Sequence, residues 1–418
     1  MFKGKVLPGV VIASLLLIGL SSNAAAQSSA APRPKIRAIT AFIHLDRSNY
    51  ESQVRDTLKM LRQAKSQFEQ AGYEVQGVRV TTQPFPEIVR GLSPADALKF
   101  FQNYDKLAQA EKFDTSIGPA MVSDTDDPKN GDLLASILST TSIVEGSIIV
   151  AGDDGIYWNA VRAAARVMKS LEEHSPHSQG NFNFSATAML PAHAPFYPGS
   201  YHDDAGHEFA IGMQSASVVA AAFASAPGDQ KAAQKALAAM LGEHARTVEA
   251  IAHRIEKETN WRYLGLDLSP APLKDDSIGA AIEKFTGARF GSSGTMTAVA
   301  TITQVLKEIP VQHAGYSGLM LPILEDSTLA QRWSEGRLSV DNMLAYSAVC
   351  GTGLDTIPLP GDVTEEQLAK MVGDMATLAF KWHKPLSARL LPVAGKKPGE
   401  RSEFDDPFLV NATLQPLP

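Results

Sequence analysis

Residues 36–45 read I-R-A-I-T-A-F-I-H-L, and residues 50–71 read Y-E-S-Q-V-R-D-T-L-K-M-L-R-Q-A-K-S-Q-F-E-Q-A. The first stretch is rich in apolar and β-branched residues and predicts a strand. In the second stretch apolar residues recur at helical spacing, at Val54, Leu58 and Leu61, and predict an amphipathic helix that Gly72 ends. A strand followed directly by such a helix is the unit from which α/β folds are built.

The same alternation continues along the chain. Further strands are predicted at residues 73–82, 113–122, 142–150, 181–190, 261–268, 316–324 and 387–393. Further helices are predicted at residues 95–110, 132–139, 157–171, 230–258, 278–285, 295–306, near 329, 340–349 and 364–382. Alternating units of this kind predict a mostly parallel sheet with helices packed outside it. We expect one α/β domain over residues 36–418 rather than two separate domains.

The N-terminus has the three parts of a secretory signal. These are a positive start, a short apolar run and small residues at a cleavage site, found at Lys3 and Lys5, residues 10–20, and Ala24-Ala25-Ala26. The apolar run is about a dozen residues, fewer than the roughly 20 that span a bilayer as a helix. We therefore expect a cleavable signal peptide at residues 1–26, a linker at 27–35, and a periplasmic or secreted protein. An uncleaved membrane anchor is the alternative.

The composition restricts the classes of partner. The chain has 38 Lys and Arg residues against 45 Asp and Glu residues, a net charge of −7. This balance argues against nucleic acid or an anionic membrane surface as partner and favours a protein that acts on small molecules. A homo-oligomer is compatible with the sequence. Cys350 is the one cysteine, so no internal disulfide can form.

Acidic residues and a histidine collect where predicted strands end. Parallel α/β sheets bind ligands beyond the carboxyl ends of their strands. Carboxylates that converge with an imidazole could hold a divalent cation, so His202, Glu325 and Asp326 are candidate metal ligands and Asp267 is a candidate catalytic residue. The alternative role for such residues is helix capping, above all at 275–277. Other histidines lack metal-ligand spacing and are interpreted as ordinary surface or core residues: His177, His193, His244, His253 and His313.

Residues 348–362, A-V-C-G-T-G-L-D-T-I-P-L-P-G-D, form the most distinctive segment. Glycines let the backbone approach a ligand closely. Cys350 and Asp355 are therefore candidate catalytic residues, and Gly351 and Gly353 are candidate substrate-binding residues. The end of the preceding helix disfavours a thiolate, so a buried and inert Cys350 is the alternative.

Two other segments add substrate-binding candidates. Residues 315–318, G-Y-S-G, supply Ser317 and Gly318, and Arg389 in the last predicted strand could neutralise an anionic substrate. Lys396 is a weaker candidate for the same role. We expect Asp267, His202, Glu325, Asp326 and Asp355 to approach one cavity.

Four segments together resemble a known family, the domain of unknown function 711 family. They are residues 264–283 (L-G-L-D-L-S-P-A-P…D-S-I-G-A-A-I-E), 315–326 (G-Y-S-G-L-M-L-P-I-L-E-D), 349–362 (V-C-G-T-G-L-D-T-I-P-L-P-G-D) and 384–395 (K-P-L-S-A-R-L-L-P-V-A-G). The resemblance implies a single large, mostly parallel, ten-stranded α/β barrel like those of pyruvate formate-lyase and ribonucleotide reductase. Those enzymes present a cysteine on a loop inside the barrel, a place that Cys350 could occupy. A C-terminal glycyl-radical motif is missing from the sequence, so we expect no glycyl radical.

Two functions from different classes follow from these observations. The first is an enzyme that acts on a small molecule, which could be an anion, in a barrel pocket, by a metal-assisted or thiol-dependent reaction. The cofactor is undetermined, and a divalent metal is one possibility. The second is a periplasmic small-molecule-binding protein without catalysis; a structural or assembly role is a third possibility. The resemblance itself implies no established activity.

Overall fold

The computed structural model describes Met1 and residues 32–417. The predicted signal peptide beyond Met1, and residues 27–31 of the predicted linker, lie outside the described residues. Within the described part, no helix combines the length and the apolar character needed to cross a membrane.

Strands and helices alternate as the sequence predicts. The strands of the described residues are β1 (Lys35–Phe42), β2 (Val78–Thr81), β3 (Asp114–Pro119), β4 (Val144–Gly152), β5 (Gly155–Ile156), β6 (Phe184–Ala188), β7 (Glu208–Gln214), β8 (Arg262–Asp267), β9 (Gly353–Pro360) and β10 (Leu386–Val393). The α-helices are α1 (Tyr50–Gln70), α2 (Phe85–Ile88), α3 (Pro94–Glu111), α4 (Lys129–Leu138), α5 (Trp158–His174), α6 (Ala216–Ser225), α7 (Gln230–Thr259), α8 (Ile278–Thr286), α9 (Thr295–Glu308), α10 (Ser327–Ser334), α11 (Val340–Ser347) and α12 (Glu365–Trp382). A 3-10 helix, Pro176–Asn183, precedes β6.

The strands form one sheet in the order β8-β7-β1-β2-β3-β4-β6-β10-β9, with β5 paired to β4. Strands β1, β2, β3, β4 and β6 are parallel to one another. Strands β7 and β8 form a parallel pair, as do β9 and β10, but β7 is antiparallel to β1 and β10 is antiparallel to β6. The predicted α/β class with a mostly parallel ten-stranded sheet and surrounding helices is therefore confirmed. The sheet itself is not closed, because β8 and β9 remain edge strands.

An irregular segment, residues 312–324, lies between these two edges. At one side Leu266 of β8 donates its N–H to Gln312 O over 2.8 Å. At the other side Ile323 donates to Asp355 O of β9 over 3.0 Å. The predicted strand at 316–324 is wrong. Gly315 and Ser317 have φ values of 60° and 40°, which no strand residue adopts, so the segment bridges the edges through separate hydrogen bonds.

Three strands were not expected from the sequence, and the shortest of them, β5, has only two residues. Residues 353–360 belong to the glycine-rich segment 348–362, for which no strand was predicted, yet they form β9 and include Pro358 and Pro360. Proline cannot donate to a ladder, but it is tolerated at the edge of a sheet, where β9 lies. Strand β7 had no prediction; Gly212 interrupts its short apolar run and weakens the signal.

The helices cover the sheet with their apolar faces. In α1 the predicted stripe is confirmed, because Val54, Leu58 and Leu61 are all buried. Ser277 caps α8 by accepting a hydrogen bond from Ala280 N over 2.9 Å, the structural alternative that the sequence offered for it. Burial of these apolar faces is the main favourable contribution to folding, about 25 cal/mol per Å² of apolar surface removed from water.

Candidate functional site

A cavity of about 780 Å³ lies inside the barrel-like sheet. Its wall includes the first residues of β1 to β4, residues of β9 and β10, the end of the 3-10 helix at 182–183, and irregular segments at 196–198, 271–273 and 316–325. Charged residues that line it are Arg37, Arg79, Asp114, Glu145, Glu325, Asp355 and Arg389, with Glu74, Lys112 and Asp406 also in the wall. The volume falls in the range of sites that hold a small molecule.

The position of the cavity differs from the prediction that strand carboxyl ends would form the site. Strands β1 to β4 contribute their amino ends, at Arg37, Arg79, Asp114 and Glu145. The reason is the antiparallel pairing of β7 with β1 and of β10 with β6. Because the two groups of strands run in opposite directions, no single end of the sheet gathers all the carboxyl ends.

Arg389 of β10 holds two carboxylates in the cavity wall. Its Nε donates to Asp355 Oδ1 over 2.6 Å, and its Nη2 donates to Glu325 Oε1. All three side chains are nearly buried, with exposed fractions of 12%, 7% and 10% for Arg389, Asp355 and Glu325. Burial alone would lower the pKa of Arg389, but the two carboxylates outweigh it and raise that pKa. Burial raises the pKa of Glu325, and Arg389 only partly offsets the rise.

Arg37 and Arg79 form the positive part of the wall. Arg37 donates to the Gln76 side-chain oxygen over 3.1 Å, and its guanidinium lies 5.1 Å from the Phe408 ring centroid. Arg79 Nε forms an ion pair with Asp114 Oδ2 over 3.5 Å, without hydrogen-bond geometry, and Arg79 Nη1 donates to Pro195 O over 3.3 Å. The Arg79 guanidinium also lies over the Tyr197 ring. Burial lowers the pKa of Arg37, and the like charge of Arg79 lowers it further. Arg37 has no carboxylate partner among the described residues, so two neighbouring guanidinium groups with only one paired carboxylate, Asp114, favour an anionic ligand.

Glu145 supplies a titratable acid in the same wall. It lies on β4, and burial raises the pKa of Glu145 to about 8, with the attraction of Arg79 opposing the rise and Asp114 adding to it. Its carboxyl group is therefore largely protonated at neutral pH. A pKa close to the working pH suits a group that donates and accepts protons during a reaction.

Of the five residues expected around one cavity, Glu325 and Asp355 line it and three lie elsewhere. Asp267 accepts hydrogen bonds from Ser269 N, Tyr316 N and Ser317 N over 3.0, 2.7 and 3.0 Å, so its carboxylate fixes the turn at 315–318. Asp326 accepts from the Ser277 hydroxyl over 2.6 Å and caps α10. These oxygens are occupied by protein donors, which explains why neither side chain points into the cavity.

The glycine-rich candidates bring two loops together. A Cβ atom on Gly318 would lie 2.6 Å from Gly351 Cα, so the backbones themselves are in contact. Gly353 has a φ of 97°, and Ser317 donates its hydroxyl to Ala314 O over 3.1 Å. These four residues are outside the cavity lining, although their neighbours Tyr316 and Thr352 belong to it.

The two remaining candidates also lie apart from the cavity. Cys350 is a free thiol, fully buried, and does not line the cavity. Lys396 is partly buried and forms an ion pair with the exposed Glu403 over 2.9 Å.

His202 belongs to a different group from the one predicted for it. Its Nδ1 lies 2.9 Å from His193 Nε2 and 3.5 Å from Glu208 Oε2, and His193 Nε2 lies 3.1 Å from the same carboxylate oxygen. Among the residues that the structure describes, this is the group of side chains able to hold a metal ion, and it includes neither Glu325 nor Asp326. Burial, followed by the charge of His193, lowers the pKa of His202 to about 4. Its ring is therefore neutral at pH 7.

Sequence reasoning missed Arg37, Arg79 and Glu145, although a signal was present. Each is a single charged residue inside an apolar strand, in I-R-A-I, V-R-V and V-E-G. Charged side chains are rare inside buried strands unless they are paired or serve a site. His193 was missed because it is nine residues from His202 and the loop between them, not a helix, brings the rings together.

The comparisons with known proteins show which family the chain belongs to. The family model described as Uncharacterised ACR (DUF711) matches residues 30–405. A UPF0210 protein of Pyrobaculum arsenaticum is 33% identical over 277 residues, 64% of this chain, and this chain spans 61% of its length. UPF0210 proteins of Pyrobaculum islandicum and Limosilactobacillus fermentum are 29% and 27% identical, each over 84% of this chain and 81% of their own length. The chain therefore belongs to the DUF711 family of uncharacterised proteins.

Proposed function

We propose that this protein is an enzyme that binds a small anionic molecule in the barrel cavity and transfers a proton with Glu145. The observation that carries the proposal is the charge pattern of the wall, where Arg37 and Arg79 adjoin an acid whose pKa is raised to about 8. A carboxylate or phosphate group would pair with the two arginines, and a protonated Glu145 would then face the rest of the molecule.

The Arg389 group has a different part in this proposal. Its charge is balanced by two carboxylates, Asp355 and Glu325, so it attracts an anion less than Arg37, which has no ion-pair partner among the described residues. The triad instead offers fixed hydrogen-bonding groups that orient a polar ligand. Thiol chemistry has little support, because Cys350 is fully buried and outside the cavity wall.

Binding is tested first. Protein purified under native conditions is analysed by mass spectrometry for bound small molecules, and thermal shifts are measured with a panel of small carboxylates and phosphates. A bound anion should raise the melting temperature, and Arg37→Gln should weaken its binding by roughly 10- to 100-fold, the worth of one charge-assisted hydrogen bond. The exposed Arg90→Gln variant is the matched control and should bind as the wild type does. Equal binding by both variants would place the anion elsewhere.

Catalysis is tested with the anion so identified. In deuterated buffer, NMR should show exchange of a ligand proton in the presence of the wild-type protein. Glu145→Gln should keep the binding and slow the exchange by at least about 100-fold, whereas the exposed Glu173→Gln should change neither. Tight binding with no reaction in the wild type would support the second candidate, a binding protein without catalysis.

We also propose that the protein is exported after cleavage before Gln27. The support is the sequence pattern of residues 1–26 alone. N-terminal sequencing of the protein from a periplasmic or secreted fraction should begin at Gln27. Recovery of the intact N-terminus with the cytoplasmic fraction would contradict export.

A further inference from the structure

A second site lies near the carboxyl ends of β1 and β2, away from the cavity. Glu208 begins β7 opposite Phe42, the last residue of β1. His202 donates its backbone N–H over 3.0 Å to Thr82 O, just beyond β2. His193 lies 5.0 Å from Phe42, measured between ring centroids in an edge-to-face contact. Three separate parts of the chain therefore hold these side chains in place.

The facing atoms of His193, His202 and Glu208 are acceptors unless they carry a proton, and one shared proton cannot satisfy all three. One proton between His193 Nε2 and His202 Nδ1 can serve their 2.9 Å contact. Glu208 Oε2 is then left without a hydrogen-bond partner among the described residues, although Glu208 is 1% exposed. A buried carboxylate oxygen in this condition is costly unless a positive charge faces it. The other oxygen of Glu208 already pairs with Arg262.

The three ligand atoms lie close to the spacing of ligands around one transition metal ion; one separation matches it and the other two are a few tenths of an ångström shorter. The three ligand atoms are separated by 2.9, 3.1 and 3.5 Å. Ligands in a tetrahedron around zinc, at bond lengths of 2.0–2.2 Å, lie about 3.3–3.6 Å apart. Two imidazoles with one carboxylate favour zinc and its neighbours over magnesium or calcium. Asp203 Oδ1, 3.4 Å from His193 Nε2, approaches from the solvent side.

We propose that His193, His202 and Glu208 bind one divalent transition metal ion, best suited to zinc, with a fourth position open to Asp203 or water. The proposal is independent of the reaction proposed for the cavity.

The site would hold the ends of a loop that reaches into the barrel, here called the 193–202 loop. The loop is closed at its base by the hydrogen bond from His193 N to Tyr201 O, 2.8 Å. Its middle residues Phe196, Tyr197 and Pro198 line the cavity. The Tyr197 hydroxyl donates to Val80 O over 2.9 Å, inside the sheet. A metal ion at the base would therefore fix one wall of the cavity.

Metal binding is measured on the full-length protein after removal of metal with a chelator and dialysis. Titration calorimetry with zinc chloride alone should give one ion per chain with a Kd below about 1 μM. His193→Asn should weaken binding by at least about 100-fold. Asparagine suits this position because His193 has a φ of 66°, which asparagine tolerates. Glu208→Gln is the second variant, and circular dichroism confirms that each variant is folded.

His207→Asn is the matched control, because His207 is exposed, adjoins Glu208 in sequence and stacks on Trp261 outside the group. Its zinc affinity should equal that of the wild type. Hydrogen exchange should slow across residues 193–202 when zinc is added to the wild type and not to His193→Asn. The proposal is overturned if zinc binds no tighter than about 100 μM, or if the His193→Asn and Glu208→Gln variants both keep the wild-type affinity.

Discussion

At the residue scale, the cavity wall places charges where water is largely excluded. Arg389 forms ion pairs with two carboxylates at once, and each of the three side chains has an exposed fraction of 12% or less. The desolvation of three charges is offset by short, directed hydrogen bonds. Removing one of the three side chains should therefore lower the free energy of unfolding by more than the whole group contributes to it.

Arg389→Gln tests this arrangement. It leaves Asp355 and Glu325 facing each other without a cation, so the free energy of unfolding should fall by about 3–5 kcal/mol. Urea unfolding followed by circular dichroism measures the change. The triple variant Arg389→Met, Glu325→Gln, Asp355→Asn removes all three charges and should recover most of the loss. A loss under about 1 kcal/mol in the single variant would show that the triad is solvated and weakly coupled.

The raised pKa of Glu145 predicts how the stability of the protein depends on pH. Burial raises the pKa of Glu145 from 4.5 to about 8, so the folded protein binds a proton that the unfolded chain has released across this interval. The free energy of unfolding should then fall as pH rises from about 5 to 8, by up to about 1.4 kcal/mol per pH unit from this group. Glu145→Gln should match the wild type near pH 4 and exceed its stability near pH 8.

Chemical denaturation at several pH values measures this difference between the two proteins. Subtracting the Glu145→Gln curve from the wild-type curve isolates Glu145 from the other titrating groups, including Asp114. A difference that stays constant between pH 5 and 8 would mean that the carboxyl group titrates normally.

At the element scale, two irregular segments between β8 and β9 pack with their backbones in direct contact. The 312–324 segment and the loop before β9 meet at Gly318 and Gly351, where a side chain on either residue would collide with the backbone of the other. Gly351 also donates its N–H to Leu319 O over 2.6 Å. The glycines that the sequence offered as ligand-binding residues thus allow two irregular segments to pack.

Gly351→Ala should therefore destabilise the protein by about 2–3 kcal/mol, the usual cost of forcing extra volume into a packed interior. Gly242→Ala is the matched control. Gly242 lies in the middle of α7, and its added Cβ would meet only the flexible end of Arg246, at 3.4 Å. This control should gain about 0.5–1 kcal/mol from helix propensity. Thermal and urea denaturation measure both, and equal effects would refute the packing argument.

At the scale of the whole molecule, two groups of strands with opposite direction enclose one cavity. The ladders between β1 and β7 and between β6 and β10 join the groups. The Arg389 triad links β9 and β10 to Glu325, the residue that follows the 312–324 segment. Contacts that cross from one group to the other make separate unfolding of either group unfavourable. We therefore expect residues 36–418 to behave as one cooperative domain.

Labelling of Cys350 tests this expectation. The thiol is fully buried in the core, so a thiol reagent should react slowly with the folded protein and rapidly with the unfolded protein. In increasing urea, the labelled fraction should follow the tryptophan fluorescence, to which the buried Trp333 contributes, with one midpoint. Two separated midpoints would show that the parts of the barrel unfold independently. Rapid labelling without urea would instead indicate an accessible, reactive thiol.

The sequence by itself determined the alternation of strands and helices, the α/β class and the family, because apolar periodicity and local motifs are properties of neighbouring residues. It also marked Glu325, Asp355 and Arg389 as site candidates. Only the tertiary structure decided that β7 and β10 run against β1 and β6, which moved the cavity to the amino ends of β1 to β4. The tertiary structure also places His193 next to His202 and Glu208. It directs the carboxylates of Asp267 and Asp326 towards backbone N–H donors. Such pairings arise from contacts between distant segments, whose direction and register local sequence patterns do not encode.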